Sequence, residues 1–342
     1  MRIILVGYGV VGKSVTTILA RKYAEKVKDN GFNPKIVAIA DIDGAVINPR
    51  GLSPEKLEAI RQRGYPISAD PDFGRPGMPA LDVVESVEAE VVVEVTPVNI
   101  KNGEPALSHI IEAFKTGKHV VTTNKGPLAL AMPALTELAE YNKVYLRFSG
   151  TVGGGTPMLE FAKRCLEGDK ILAIRGILNG TTNYILTEMS QNRVTFQEAL
   201  TNTQKLGYAE REPSMDIDGF DTACKVVILA NWIMNKKITL KNVDITGIRD
   251  VSLQALDEAS KRGNTIKLIG SIDGDTPTVK PMEIAKNNPL CVSGVLNAIT
   301  FFTEFAGEET LIGRGAGGME TASAVLRDLL DIRHKLATKL LT

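Results

Sequence analysis

The stretch RIILVGYGVVGKSVTTILA near the amino terminus leaves the chain few ways to fold. A short β-branched apolar run is followed at once by Gly7-x-Gly9-x-x-Gly12, and Val11, Val15, Ile18 and Leu19 then recur at helical period. The order is strand, tight turn, helix. Such a turn brings free backbone N–H groups and the positive end of a helix to one point, and the missing side chains let a pyrophosphate approach closely. A purely structural glycine turn is the plain alternative. KIVAIAD, residues 35–41, favours the dinucleotide reading: it is a second buried strand ending on Asp41, an acid suited to the adenosine ribose hydroxyls. Asp41 lies further from Gly12 than the usual spacing of about 20 residues. The charged segment RKYAEKVKDNGFNP accounts for this by lengthening the first crossover. A carboxylate here repels a 2′-phosphate and so leans towards NAD, whereas Arg50, Lys56, Arg61 and Arg63 in the next loop and helix offer NADP a partner.

AEVVVEVTP (89–97) and KHVVTTNKG (118–126) read as a third and a fourth buried strand, with IIEAFKTG as the helix between them. Alternation of this kind gives a parallel sheet covered by helices, a Rossmann-type domain, whose ligands sit beyond the carboxyl ends of the strands. Thr96, Pro97, Asn124 and Lys125 fall at those ends and are expected near the nicotinamide half of the cofactor. The competing reading is ordinary strand-end and surface-turn chemistry.

Composition narrows the partners. The chain has 342 residues, 44% of them hydrophobic and 23% charged, enough for two packed cores, and 40 basic residues balance 40 acidic ones. With no long basic run, neither nucleic acid nor an anionic membrane is expected as a partner, and a small molecule is. Cys165, Cys224 and Cys291 are far apart and odd in number, neither a disulfide framework nor a metal-ligand spacing. No apolar run reaches membrane-spanning length and no signal peptide precedes the first strand, so a cytoplasmic location is expected.

In the second half, TVGGGTPMLEFAKRCLEG is a glycine-rich turn followed by a helix. Three consecutive glycines permit positive φ and let backbone groups crowd around a cofactor group or a cation, or else form a hinge between domains. KILAIRGILNGTTNYILTEM starts as a strand, turns at Asn179-Gly180 and enters a helix that Thr181 or Thr182 can cap. FQEALTNTQKLGYAE is a helix stopped at Gly207, and Gly207 to Gly219 forms an irregular acidic loop before the helix FDTACKVVILANWIM. Asp221 and Lys225 share a face of that helix, and taken alone they are a surface ion pair worth roughly 0.2–0.5 kcal/mol. Glu210, Asp216 and Asp221 together gather negative charge beside the lysine, an arrangement suited to holding a substrate ammonium while Lys225 exchanges a proton with a hydroxyl or carbonyl. Further strand and helix signals extend a second sheet, with SGVLNAITFFTEF as a strand pair. A second glycine turn, Gly313 to Gly318, leads into an amphipathic tail helix that could return to the first domain and touch the cofactor.

These segments, GYGVVG, TTNKGP, GTVGGGTP, GILNGTTNYIL, GYAEREPSMDIDGFDTACK and GRGAGG, resemble the homoserine dehydrogenase family in their order and over essentially the full length. The acidic stretch is the most specific of them. The resemblance implies an α/β chain: a Rossmann-type nucleotide-binding domain over 1–149, completed by 312–342, and a second α+β catalytic and dimerisation domain over 150–311. It implies reversible NAD- or NADP-dependent interconversion of L-homoserine and L-aspartate 4-semialdehyde, in threonine and methionine biosynthesis, by a homodimer. Asp221 and Glu210 then bind the substrate ammonium with support from Asp216, Thr181 and Tyr208 lie near the substrate, Lys225 is proton donor and acceptor, and Lys125 is the second active-site lysine. Gly7, Tyr8, Gly9, Val10, Val11, Gly12, Thr96, Gly207 and Gly317 match cofactor-contacting positions.

Two departures stand out. Ser149 occupies the position of a glutamate that holds a monovalent cation in many members, leaving the carbonyls of Val152, Gly154 and Thr156 for a weaker sodium site or none. The sequence also ends soon after the tail helix, the form without a C-terminal regulatory domain. An aldehyde-oxidising dehydrogenase is a rival reading, but its cysteine nucleophile has no motif here. A non-catalytic dinucleotide sensor is another, and Lys125, Glu210, Asp221 and Lys225 together argue against it.

Overall fold

The computed structural model describes residues 1–20, 32–274 and 276–339, so most of the charged first-crossover segment lies outside the described residues. The chain falls into two compact units, Met1–Thr151 with Gly317–Thr342, and Val152–Ala316.

The first unit runs β1 (Arg2–Val6), α1 (Val10–Ala20), β2 (Lys35–Asp41), β3 (Gly44–Ile47), α2 (Pro54–Arg63), β4 (Gly74–Pro76), α3 (Ala80–Ser86), β5 (Val91–Glu94), α4 (Ala106–Lys115), β6 (His119–Thr122), α5 (Lys125–Tyr141) and β7 (Leu146–Arg147). Its sheet has the order β4-β3-β2-β1-β5-β6-β7. The five strands from β2 to β7 in that order are parallel, and β3 and β4 add antiparallel at one edge. The near-continuous apolar runs of β1, β2, β5 and β6 follow from burial on both faces. The chain leaves β1 for β2 on one side and enters β5 on the other, so the order reverses between β1 and β5, where such sheets bind ligands. The tail helix, Gly318–Lys339, sets Ala322, Val325, Leu329 and Ile332 at helical spacing into the core formed by Ile3, Leu5, Val91 and Val93.

The second unit contains α6 (Met158–Glu160), which continues as a π-helical turn over Phe161–Cys165, then β8 (Ile171–Ile177), α7 (Gly180–Asn192), α8 (Phe196–Lys205), α9 (Ser214–Ile217) and α10 (Phe220–Met234). β9 (Asp244–Ile245), α11 (Leu253–Lys261), β10 (Asn264–Ile272), β11 (Thr278–Ala285), β12 (Leu296–Thr303) and β13 (Glu308–Arg314) complete it. The sheet order is β13-β12-β8-β10-β11-β9, antiparallel except where β9 joins β11.

Four local expectations change. SGVLNAITFFTEF forms one strand, not a pair, because LNAITFFT has no turn residue. The hairpin closes at Gly307, φ +82°, where Thr303 N donates to the Gly307 carbonyl at 2.8 Å. Its partner is EETLIGR, which absorbs Gly313 into β13 and leaves Gly315–Gly317 as the turn. The cap of α7 is Asn179, not Thr181 or Thr182: its side chain accepts from Thr182 N at 2.9 Å. The acidic loop also holds one helical turn, α9. Among the described residues no helix is long and apolar enough to cross a membrane.

Candidate functional site

In the first unit the three glycines have three separate reasons. Gly7 has φ +99°, and a Cβ there would stand 2.9 Å from the Val95 carbonyl. A Cβ on Gly12 would collide with the Gly7 carbonyl, so this glycine lets α1 pack on the turn. Gly9 differs: nothing lies within 4 Å of the place its Cβ would take. Its missing side chain leaves open space at a helix N-terminus, the cradle a pyrophosphate requires. Asp41 reaches the same turn, its Oδ2 accepting from Tyr8 N at 3.2 Å and its Oδ1 from Ile42 N at 2.9 Å. Val10 is 74% exposed and Val11 half-buried, both at the mouth of the turn. Tyr8 is 3% exposed, with its hydroxyl 3.5 Å from Thr16 Oγ1 in α1, so this residue offers the turn its backbone and not its ring. At the start of the tail helix, Gly317 has φ +132° and Gly318 packs against Val10 and Ser14.

The strand ends beyond β5 and β6 form one network. Glu94 is fully buried, and its carboxylate accepts from Thr96 N at 3.2 Å, from the Thr96 hydroxyl and from Thr122 Oγ1 at 3.3 Å. Asn124 Nδ2 donates to the carbonyls of Thr96 at 3.1 Å and Pro97 at 3.0 Å, while its Oδ1 accepts from Gly126 N at 3.0 Å and caps α5. The Asn124-Lys125-Gly126 stretch is therefore no surface turn. It is a buried clamp that fixes Thr96 and Pro97 and sets Lys125 as the first residue of α5.

The second unit holds the acids. Asn179 Nδ2 donates to Asp216 Oδ1 at 2.7 Å and to Asp221 Oδ2 at 2.9 Å, joining two carboxylates through one amide. Lys225 Nζ donates to Asp221 Oδ2 at 2.7 Å and to the Leu178 carbonyl at 2.6 Å. The Lys225 and Asp221 side chains are only 8% and 13% exposed, so this is not a surface ion pair. An ammonium has three donors and two are used here, which leaves one for another acceptor. Burial, and after it the charge of Asp221, hold Asp216 above the ordinary carboxylate range. Two carboxylates and one ammonium are thus joined through Asn179 and Asp221.

The remaining acids divide by role. Asp218 is taken by Arg249, and Glu212 accepts from the Ser214 hydroxyl, so both hold the loop together. The Glu210 carboxylate is exposed and has no hydrogen-bond or ion-pair partner among the described residues. Only its carbonyl is engaged, by Gln204 Nε2 at 3.0 Å. Thr181 Oγ1 donates to the Tyr208 carbonyl at 2.9 Å, and the half-exposed Tyr208 ring lies 5.2 Å from that of Tyr184. Gly207 ends α8 at φ +76° in this second unit.

Around the triple glycine, Gly153 and Gly154 have φ +84° and +54°, and their missing side chains make room for Thr156 and the Gly315 backbone. The Thr156 carbonyl accepts from Met158 N at 2.8 Å. Ser149 donates through its N at 2.9 Å and through its hydroxyl to the buried Asp328 of the tail helix. Among the described residues no three His, Cys, Asp or Glu side chains gather as metal ligands.

Sequence reasoning passes over Glu94, the clamp made by Asn124, and Asn179. An acid inside the apolar run VVVEV is the available signal for the first. For Asn179 it is an amide directly before a helix start, which the sequence alone presents as part of the turn.

The chain matches the family model described as homoserine dehydrogenase, NAD binding domain, over residues 7–149, and the homoserine dehydrogenase model over residues 157–330. The chain belongs to the homoserine dehydrogenase family. It is 47% identical to a homoserine dehydrogenase of Methanocaldococcus jannaschii, an alignment covering 97% of this chain and 98% of the relative. It is 38% identical to an NAD(+)-dependent homoserine dehydrogenase of Pseudomonas canavaninivorans, over 99% of this chain and 97% of the relative. Among solved structures it is similar to a hyperthermophilic archaeal homoserine dehydrogenase in complex with NADPH, with TM-score 0.84 and 29% identity, covering 98% of each chain. As a homoserine dehydrogenase the chain is an NAD(P)-dependent oxidoreductase that interconverts L-homoserine and L-aspartate 4-semialdehyde.

Proposed function

We propose that Lys225 is the proton donor and acceptor in this interconversion, in a second unit that binds the substrate. The first unit binds NAD or NADP over Gly7, Gly9, Gly12, Val10, Val11 and the Tyr8 backbone, with Asp41 at the ribose, Gly317 at the tail turn, and Thr96, Pro97 and Lys125 at the nicotinamide end; Gly207, in the second unit, keeps its cofactor role only as what the family resemblance implies. The bound nicotinamide supplies a hydride acceptor in one direction and a donor in the other.

Asp221, Asp216 and Glu210 hold the substrate ammonium. Arrival of that cation neutralises the surplus carboxylate charge, which lowers the cost of ionising Asp216. Thr181 and Tyr208 lie near the substrate. In the reducing direction the third N–H of Lys225 donates to the carbonyl oxygen as it gains negative charge; in the oxidising direction neutral Lys225 takes the hydroxyl proton. Asp221 and the Leu178 carbonyl fix the amine from two sides throughout. Lys125 is the second active-site lysine of this reading.

The observation that carries this reading is the buried array of Lys225, Asp221, Asn179 and Asp216. The test is a Lys225→Arg variant, since arginine keeps the charge for Asp221 but cannot give up a proton in a protein. Retained folding with lost turnover supports the role, and retained turnover contradicts it. We further propose that the enzyme is a cytoplasmic homodimer and that the carbonyls of Val152, Gly154 and Thr156 offer sodium only a weak site.

A further inference from the structure

A polar recess in the substrate unit has a composition the reaction does not explain. It has a volume of about 350 Å³ and is lined from α7, α11, β10 and the segment between β11 and β12. Its described lining holds two lysines, five hydroxyl side chains, a glutamine and a thiol, and no carboxylate.

Lys267 rises from the middle of β10 and is only 3% exposed. Its Nζ donates to Asn183 Oδ1 at 2.7 Å and to Thr187 Oγ1 at 3.0 Å, both neutral. A buried ammonium is costly without a counter-charge, and this one has no acidic partner among the described residues. Two of its three donors are spent inside the protein, leaving one. Lys286 also lines the recess, with its Nζ on Ser260 Oγ at 2.8 Å. Lys286 is exposed, so the recess joins a buried cation to one in contact with solvent. Thr265 adds a hydroxyl from β10. Two cations, several hydroxyl donors and no acid form a receptor for negative charge.

We propose that this recess binds a small oxyanion, held between Lys267 and Lys286 with the surrounding hydroxyls as donors. Its volume falls within the range of small-molecule sites. Burial lowers the Lys267 pKa to about 8, so this lysine is poised to lose a charge that a bound anion would hold. Lys286 and Cys291 are the other titratable groups lining the recess.

The experiment is calorimetric titration of the full chain, freed of phosphate, with inorganic phosphate and separately with malonate, at pH 7 and constant ionic strength set by chloride. Saturable binding is expected, weakened about tenfold or more in Lys286→Ala and weakened again in the wild type above pH 8. Comparison of the two ligands distinguishes phosphate from carboxylate chemistry. Lys267→Met is expected to abolish binding. Should that variant fail to fold, Lys286→Ala and Thr265→Val still decide the matter, since neither residue belongs to the catalytic array. Heats no larger than those of chloride, or equal affinity in wild type and Lys286→Ala, would overturn the proposal.

Discussion

Lys225 has two jobs that substitution can separate. Pairing with Asp221 satisfies a nearly buried carboxylate, and under the proposed mechanism proton exchange serves the reaction. Removing the amine altogether, as in Lys225→Ala, leaves Asp221 without its counter-charge and confounds folding with catalysis. Lys225→Arg should preserve the circular dichroism spectrum while lowering kcat by about 10²–10⁴-fold, the usual contribution of general acid–base catalysis. Asp216 makes a prediction of opposite character. Its folded pKa is raised, so its contribution to stability is fully present below the unfolded value and is lost as pH rises through the folded one. Asp216→Asn keeps an oxygen to accept from Asn179 and cannot ionise. Thermal melts across pH 3 to 8 should show that wild type loses stability relative to this variant as pH rises. A constant difference across the range would contradict the assignment of a raised Asp216 pKa. The same variant should raise KM for homoserine, because one carboxylate for the ammonium is gone.

At the scale of elements, the site depends on where helices begin. Asn179 caps α7 with its oxygen and joins Asp216 to Asp221 with its nitrogen, so the helix start and the proposed substrate site share one side chain. Asn179→Ala should lower stability by about 0.5–2 kcal/mol from the lost cap and also raise KM, measured by denaturant melts and steady-state kinetics on the same sample. A loss of stability with unchanged KM would detach Asn179 from the proposed substrate site. Asn124 is the corresponding clamp in the first unit. What is legible in the sequence here is local: the strand–turn–helix at Gly7 to Gly12, the buried runs of β2, β5 and β6, and α10 from Phe220 to Met234 all carry their periodicity within a few residues. The pairing of Asp221 with Lys225 is readable from helical spacing, but its burial is not, because the shielding comes from packing of the whole unit. Asn179 bonds to residues 37 and 42 positions away, and Ser149 to Asp328 across 179, separations that no local pattern reports. The division between β12 and β13 escapes sequence reading for a related reason. The turn lies just beyond the apolar stretch, at Gly307, so a reading confined to SGVLNAITFFTEF places a break inside a strand that has none.

For the whole molecule, the two units carry different chemistries: a glycine cradle with an acid at its rim, and a buried lysine among carboxylates. Coenzyme choice belongs to the first. Asp41 is hydrogen-bonded to the turn itself, and in its proposed role at the ribose its carboxylate repels a 2′-phosphate. Kinetics with the two coenzymes should therefore give a higher kcat/KM with NAD than with NADP, and Asp41→Asn should narrow the gap. Preference for NADP in the wild type would place the governing charge elsewhere. The central claim, that one buried lysine moves the proton in homoserine oxidation, is tested most directly by the initial rate of nicotinamide reduction with L-homoserine, wild type against Lys225→Arg, at saturating NAD and pH 8. The account predicts steady turnover by the wild type and a rate at least about 10²-fold lower for a folded variant; equal rates from the two proteins would contradict it.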